Sequence, residues 1–239
     1  MGYTFAVMSG EMGASARFVK ASDQTLLVYM GKGISPSASE RVRKLLQLLE
    51  LEPITGIRNL HPGYASVLVK FDAVRMGHDE LEKVLQSYLD RVEDVTLPEA
   101  RLVEIPVCYG GEFGPDLEEV AALHGMTAAE VIQLHTSVEY MVYFLGFVPG
   151  FAYLGELPKE LVTPRLATPR RKVPVGSVGI AGNQTGVYPF APPGGWRLLG
   201  CTPLKMFRAD RQGLSLLEIG DRVKFAPVGP ERFAELERG

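Results

Sequence analysis

The sequence predicts an α+β chain of two domains: an N-terminal α/β sandwich-like domain over residues 1–97 and a C-terminal β-barrel over residues 98–239. Three observations carry that prediction. Up to residue 92, strand-like runs mix with two amphipathic helical patterns. An acidic, proline-containing stretch over 93–100 then interrupts them, with Pro98 blocking a regular continuation. From 148 to 230 helical signals nearly vanish, and short apolar runs follow one another between Pro and Gly turns, as in a small barrel. With 239 residues, 46% of them apolar, each domain can bury its own core.

Residues 3–8 and 24–30 are rich in β-branched and aromatic side chains and read as strands. Ser35 and Pro36 supply an N-cap and a proline at the first helical position, and Ser37 with Glu40 offers a capping box. Val42, Leu45, Leu46, Leu48 and Leu49 recur at helical spacing until Pro53 stops the helix. Strands follow over 54–60 and 64–71, and Asp79 caps a second helix carrying Leu81, Val84, Leu85, Tyr88, Leu89 and Val92.

Beyond the interruption, 101–107 reads as a strand and 116–124 as a helix that Gly125 ends in the left-handed conformation. Thr127 and Glu130 make a capping box for a helix running to about His135, and 140–147 reads as a buried strand. Further strands are expected over 177–181, 186–190, 196–199, 214–219 and 222–225, with turns at 210–213 and 220–221.

Composition excludes several functions. Lys and Arg number 25 against 28 Asp and Glu, and no long basic stripe is present to neutralise a phosphate backbone, so no nucleic-acid partner is expected. Cys108 and Cys201 form no CxxC pair, which fits a reducing cytoplasm. The first ten residues lack a basic start and apolar core, and no run approaches ~18 apolar residues, so no membrane association is expected. The sequence contains no G-x-x-x-x-G-K-[ST] loop, no G-x-S-x-G elbow and no H-E-x-x-H spacing. No metal site is expected in this chain, nor a phosphate loop of its own.

The candidate chemistry lies in the second half. The segment 146–155, GFVPGFAYLG, is too dense in Gly and Pro for a regular element. Its Phe147, Phe151 and Tyr153 can wall a pocket that glycine lets a ligand approach closely, or can pack a loop on the barrel. In 168–177, TPRRKVPVGS, stiff proline flanks fix Arg170 and Arg171, the candidate anchors for an anionic substrate group, or else a solvated edge. Ser177 closes that segment. Asn183, Gln184 and Thr185 stand between glycines and offer the donor and acceptor that an amide or lactam needs, or a polar turn. Trp196, the sole tryptophan, follows the rigid turn 192–195 and presents its ring at a cleft or anchors a core. His135 is a candidate proton shuttle or a structural histidine.

Long motifs carry a resemblance. Ile105, Pro106, Val107, Tyr109, Gly110 and Gly111, followed by Gly114, Pro115, Asp116 and Leu117, resemble a block of the 5-oxoprolinase B-subunit / KipI / allophanate hydrolase subunit 1 family. His135, Tyr140, Val142, Gly146, Phe147, Pro149, Gly150, Phe151, Tyr153, Leu154 and Gly155 match a second block. The match continues through Pro169, Arg170, Gly176, Ser177, Gln184, Thr185, Tyr188, Pro193 and Trp196, is looser upstream, and departs at Ala152 and Cys201, where proline and arginine are frequent.

The resemblance implies a cyclophilin-like C-terminal barrel in the B-subunit of an ATP-dependent 5-oxoprolinase, a cytoplasmic hydrolase that opens 5-oxo-L-proline to L-glutamate. The implied partners are a KipA-like C-subunit with a LamB/YcsF-like A-subunit. ATP is then bound with or by those partners, and the isolated chain is expected to be inactive. In that setting His135 and Arg170 are the expected catalytic residues. Phe147, Phe151, Tyr153, Arg171, Ser177, Gln184, Thr185 and Trp196 are the expected substrate-binding residues. Two alternatives stand beside it: a KipI-like inhibitor of a sensor histidine kinase, and a carboxyltransferase or allophanate hydrolase-type subunit that works on a urea-derived amide.

Overall fold

The computed structural model describes residues 16–210 and 214–238. The strand expected over 3–8 lies outside the described residues, as does most of the turn expected over 210–213. By contacts the chain divides into two compact units, Met1–Leu97 and Pro98–Gly239.

The first unit runs β1 (Arg17–Ser22), β2 (Thr25–Tyr29), α1 (Pro36–Leu51), β3 (Ile57–Pro62), β4 (Ser66–Phe71) and α2 (His78–Leu89). Its strands form an antiparallel sheet in the order β1-β2-β4-β3. Leu26, Val28, Val67, Val69 and Phe71 from the sheet share a core with Val42, Leu45, Leu81 and Leu85 from the helices. The sequence signals for α1 hold: the Ala38 N–H donates to the Ser35 hydroxyl at 3.2 Å, and Pro36 opens the helix. Two capping expectations are corrected. Glu40 pairs with Lys44 one turn on, at 2.9 Å, rather than returning to a cap. Asp79 lies inside the first turn of α2, where a negative charge suits the helix dipole, and pairs with Lys20 at 2.7 Å.

The second unit runs β5 (Leu102–Tyr109), α3 (Leu117–His124), α4 (Ala128–Ser137), β6 (Tyr140–Leu145), β7 (Ala152–Gly155), β8 (Ser177–Ala181), β9 (Gln184–Val187), β10 (Arg197–Cys201), β11 (Arg222–Pro227) and α5 (Pro230–Arg238). Seven strands close a barrel in the order β10-β5-β11-β6-β7-β9-β8. The fold is therefore mixed α+β, with a closed seven-stranded barrel and a separate four-stranded sheet. Within the barrel, β11 and β5 run parallel. Gly125 ends α3 at φ 65°, and Thr127 and Glu130 complete the capping box of α4.

Two strand expectations change. Ala152–Gly155 is a strand because Pro149 and Gly150 confine the irregular backbone to the loop before it, and AYLG then pairs with both β6 and β9. Residues 214–219 form no strand; Ser215 makes an isolated bridge with Phe207, and the Leu216 N–H donates to the Met206 oxygen at 2.9 Å.

All five residues of β8 are buried because both faces of the barrel wall are covered there. Val178 and Ile180 face the barrel core. On the other side a smaller cluster forms from Phe151, Val173, Ala181, Tyr188, Trp196 and Leu198. Among the described residues, no helix is long and apolar enough to cross a membrane, and no group of three or more His, Cys, Asp or Glu could hold a metal ion.

Candidate functional site

The outer cluster opens into a cleft of about 290 Å³, walled by Phe147, Phe151, Tyr153, Tyr188 and Trp196, with Arg165 and the turn at 193–195 at its mouth. The rings meet edge to face. Centroid separations are 5.5 Å for Phe151 and Trp196, 6.2 Å for Tyr153 and Trp196, and 6.4 Å for Tyr188 and Trp196. That geometry aligns ring edges with ring faces, the favoured aromatic arrangement, and fixes the shape of the walls. Two glycines permit it. A Cβ on Gly194 would come within 2.7 Å of the Tyr188 hydroxyl, and one on Gly186 within 3.2 Å of both Phe151 and the Trp196 ring.

Backbone holds the rim in place. The Leu166 N–H donates to the Gly195 oxygen at 2.8 Å, and Arg170 and Gly194 exchange two N–H···O bonds of 2.9 and 3.0 Å. The segment bearing Arg165 and Pro169 is thereby zipped to the turn before Trp196. Phe147 stands at φ 70° with its side chain 60% exposed, edge-on to Phe151 at 5.7 Å. A bulky residue in the left-handed region carries strain of order 1–3 kcal/mol, tolerated here where the ring is presented at the cleft.

The role assigned to Arg170 is corrected. Its Nη2 donates to Asp116 Oδ1 at 2.5 Å and its Nη1 to the Trp196 oxygen at 3.4 Å. Asp116 is 5% exposed, and its second oxygen accepts the Leu198 N–H at 2.6 Å. The guanidinium thus neutralises a buried carboxylate and tethers the Trp196 backbone. Arg171 is exposed and does not line the cleft. The charge at the mouth belongs instead to Arg165, and among the described residues no acidic side chain lines the cleft.

His135 is also reassigned. Its side chain has no exposure, and its ring stacks on Phe225 at 4.7 Å inside the barrel. The Thr185 hydroxyl donates to the Gly179 oxygen at 3.1 Å, so it accepts the Nε2–H of His135, 2.9 Å away. Nδ1 is then the acceptor for the Tyr109 hydroxyl at 2.8 Å. Burial lowers the imidazole pKa to about 3, so the ring is neutral at neutral pH. It is a satisfied structural group rather than a proton shuttle. Thr185 belongs to this internal chain and is not presented to a lactam in the cleft. Ser177 is buried on β8, and Gln184 begins β9 opposite Ala181; neither lines the cleft.

The structure unites Phe147, Phe151, Tyr153 and Trp196 from the expected set and adds Arg165 and Tyr188. Burial raises the Tyr153 phenol and pushes Tyr188 up to about 12, against a smaller lowering by Arg165 on each. Both phenols stay protonated at neutral pH and can donate hydrogen bonds; neither is a base there. The cleft can grip and orient a small ring, while proton abstraction and nucleophilic attack need groups from elsewhere.

Residues 16–217 match the family described as carboxyltransferase domain, subdomain C and D. Over 221 residues the chain is 39% identical to the 5-oxoprolinase B-subunit of Bacillus subtilis (strain 168), covering 88% of this chain and 92% of that protein. The chain belongs to the 5-oxoprolinase B-subunit family. A second member, from Escherichia coli O157:H7, is 43% identical over 217 residues, covering 89% of this chain and 96% of that one. The crystal structure of TTHA0988 superposes on this member of the 5-oxoprolinase B-subunit family with a TM-score of 0.77 at 36% identity, covering 87% of it. The chain spans 40% of the length of TTHA0988, so the same fold occurs there within a longer polypeptide.

Proposed function

We propose that the chain is the B-subunit of a cytoplasmic, ATP-dependent 5-oxoprolinase complex that hydrolyses 5-oxo-L-proline to L-glutamate. Identities of 39% and 43% to two 5-oxoprolinase B-subunits, over 88% and 89% of this chain, carry the reading. The cleft agrees with it, since a compact lactam needs apolar walls and a few fixed donors. On this reading residues 1–97 and 98–239 are separate domains, the second cyclophilin-like, which their division into two compact units supports.

The assembly is completed by a KipA-like C-subunit with a LamB/YcsF-like A-subunit. The presence of this fold as part of the longer TTHA0988 chain supports its working beside further polypeptide. The cleft itself does not fit a triphosphate: it offers one guanidinium, no carboxylate for a magnesium ion and mostly aromatic walls. ATP belongs with the partners, where it would activate the lactam carbonyl, a poor electrophile. This chain binds and orients the ring.

Purified chain mixed with both companions and ATP is expected to release glutamate from 5-oxoproline, and every mixture lacking one component is expected to fall to background. A well-assembled complete mixture that releases none would sink the reading. The family description favours one second reading, a carboxyltransferase or allophanate hydrolase-type subunit that works on a urea-derived amide. The same mixtures given allophanate in place of 5-oxoproline, with released ammonium as the readout, separate the two.

A further inference from the structure

We propose that Arg165 is the carboxylate anchor of the barrel cleft, and that the cleft takes a compact ring-bearing monocarboxylate whose amide carbonyl accepts the Tyr188 hydroxyl. The lactam part of that substrate class rests on the 5-oxoprolinase reading; the anchor does not.

Charge singles out one residue of the cleft. Around the cleft the sequence supplies Arg165, Arg170 and Arg171. Arg170 is committed to Asp116, and Arg171 lies outside the lining. Arg165 is the single formal charge among the lining residues, it is exposed, and the structure gives it no ion-pair partner among the described residues. It is close enough to act electrostatically on both phenols of the cleft. A guanidinium beside aromatic walls with no acidic neighbour is a site for one planar anion, since a carboxylate accepts two of its N–H groups at once. A dianion or polyphosphate would leave charge unmatched against apolar rings.

The second contact follows from Tyr188. Tyr188 lines the cleft, and its hydroxyl has a proton to give to an acceptor there. The phenol is protonated at neutral pH. Arg165 and Tyr188 thus offer two donors of different kind to one small molecule, a cation for carboxylate and a neutral O–H for a carbonyl. Tyr153 and Trp196 line the same cleft and supply apolar surface for the ring.

The experiment uses Trp196, the sole tryptophan of the chain, as a reporter inside the cleft. Intrinsic fluorescence of the full chain is titrated with 5-oxo-L-proline, with 2-pyrrolidinone, which lacks the carboxylate, and with cyclopentanecarboxylate, which lacks the lactam. A saturable change with 5-oxoproline is expected, at least about ten-fold weaker for 2-pyrrolidinone. Arg165→Met should weaken 5-oxoproline binding by the same factor or more, with Arg165→Lys between the two and Arg171→Ala unchanged. Because Arg165 is exposed and has no ion-pair partner among the described residues, its variants should keep the wild-type urea midpoint, which separates lost binding from lost folding. The anchor is overturned by wild-type affinity in Arg165→Met, by equal affinity for 2-pyrrolidinone, or by no saturable change with any ligand up to tens of millimolar. If cyclopentanecarboxylate binds as tightly as 5-oxoproline and depends on Arg165, the anchor stands and the lactam substrate falls. If the complete complex hydrolyses 5-oxoproline equally well with Arg165→Met, the enzyme reading stands and the anchor falls.

Discussion

Lowering the pH from 7 to 4.5 is expected to remove about 2–3 kcal/mol of stability through His135 alone. The folded barrel holds this imidazole neutral, with a pKa lowered to about 3 by burial, whereas the unfolded chain protonates it near its ordinary 6.5. Above 6.5 neither state binds the proton and the stability is fully present. Between 6.5 and 3 only the unfolded state binds it, so stability falls by about 1.4 kcal/mol for each pH unit. Protonation inside the barrel would leave Nδ1 donating toward the Tyr109 hydroxyl that now donates to it, in a cavity closed by Phe225 and Tyr140. Urea unfolding at pH 7, 5.5 and 4.5 measures the effect, with His135→Gln as comparison. The variant should be less stable at pH 7, since Gln replaces the ring imperfectly between Tyr109 and Thr185, yet lose less over the same interval. Parallel pH profiles for the two proteins would refute the assignment of a neutral, buried imidazole.

That histidine shows where the sequence stops being legible. Its position at the end of a helix is readable, because Thr127 and Glu130 announce the start of α4 and the apolar pattern counts off its length. Whether it faces solvent or the barrel depends on Tyr109 and Thr185, which lie 26 and 50 residues away and meet it only when the barrel closes. Arg170 escapes local reading for the same reason: prolines do stiffen its segment, but its partner Asp116 lies 54 residues upstream in a separate motif. Arg165, by contrast, stands in plain view after Pro164 and carries no signal, since a lone exposed arginine resembles any solvated residue. What distinguishes it is the absence of acidic side chains among lining residues from four separate segments. The aromatics are more legible. Phe147, Phe151, Tyr153 and Trp196 sit beside glycines and prolines that exclude regular packing, and local chemistry of that kind survives folding.

Replacing Arg170 by Met is expected to cost about 3 kcal/mol, because it leaves the Asp116 carboxylate buried with one N–H donor, that of Leu198, and no counter-charge. The low end of the usual range applies, since Arg170 itself remains 27% exposed and some water can follow the vacated path. Asp116→Asn in the same background removes the charge while keeping an oxygen for the Leu198 N–H, so the double variant should recover roughly 1 kcal/mol or more relative to additive losses. Urea midpoints of the four proteins close the cycle. The outcome also decides how activity data on Arg170 are read. If the single variant unfolds early and Asp116→Asn rescues it, any loss of 5-oxoproline binding follows from a loosened rim, because Arg170 holds the Trp196 backbone and exchanges hydrogen bonds with Gly194. If Arg170→Met keeps the wild-type midpoint and still fails to bind, its guanidinium reaches the substrate directly, and the pairing with Asp116 must open when the complex turns over.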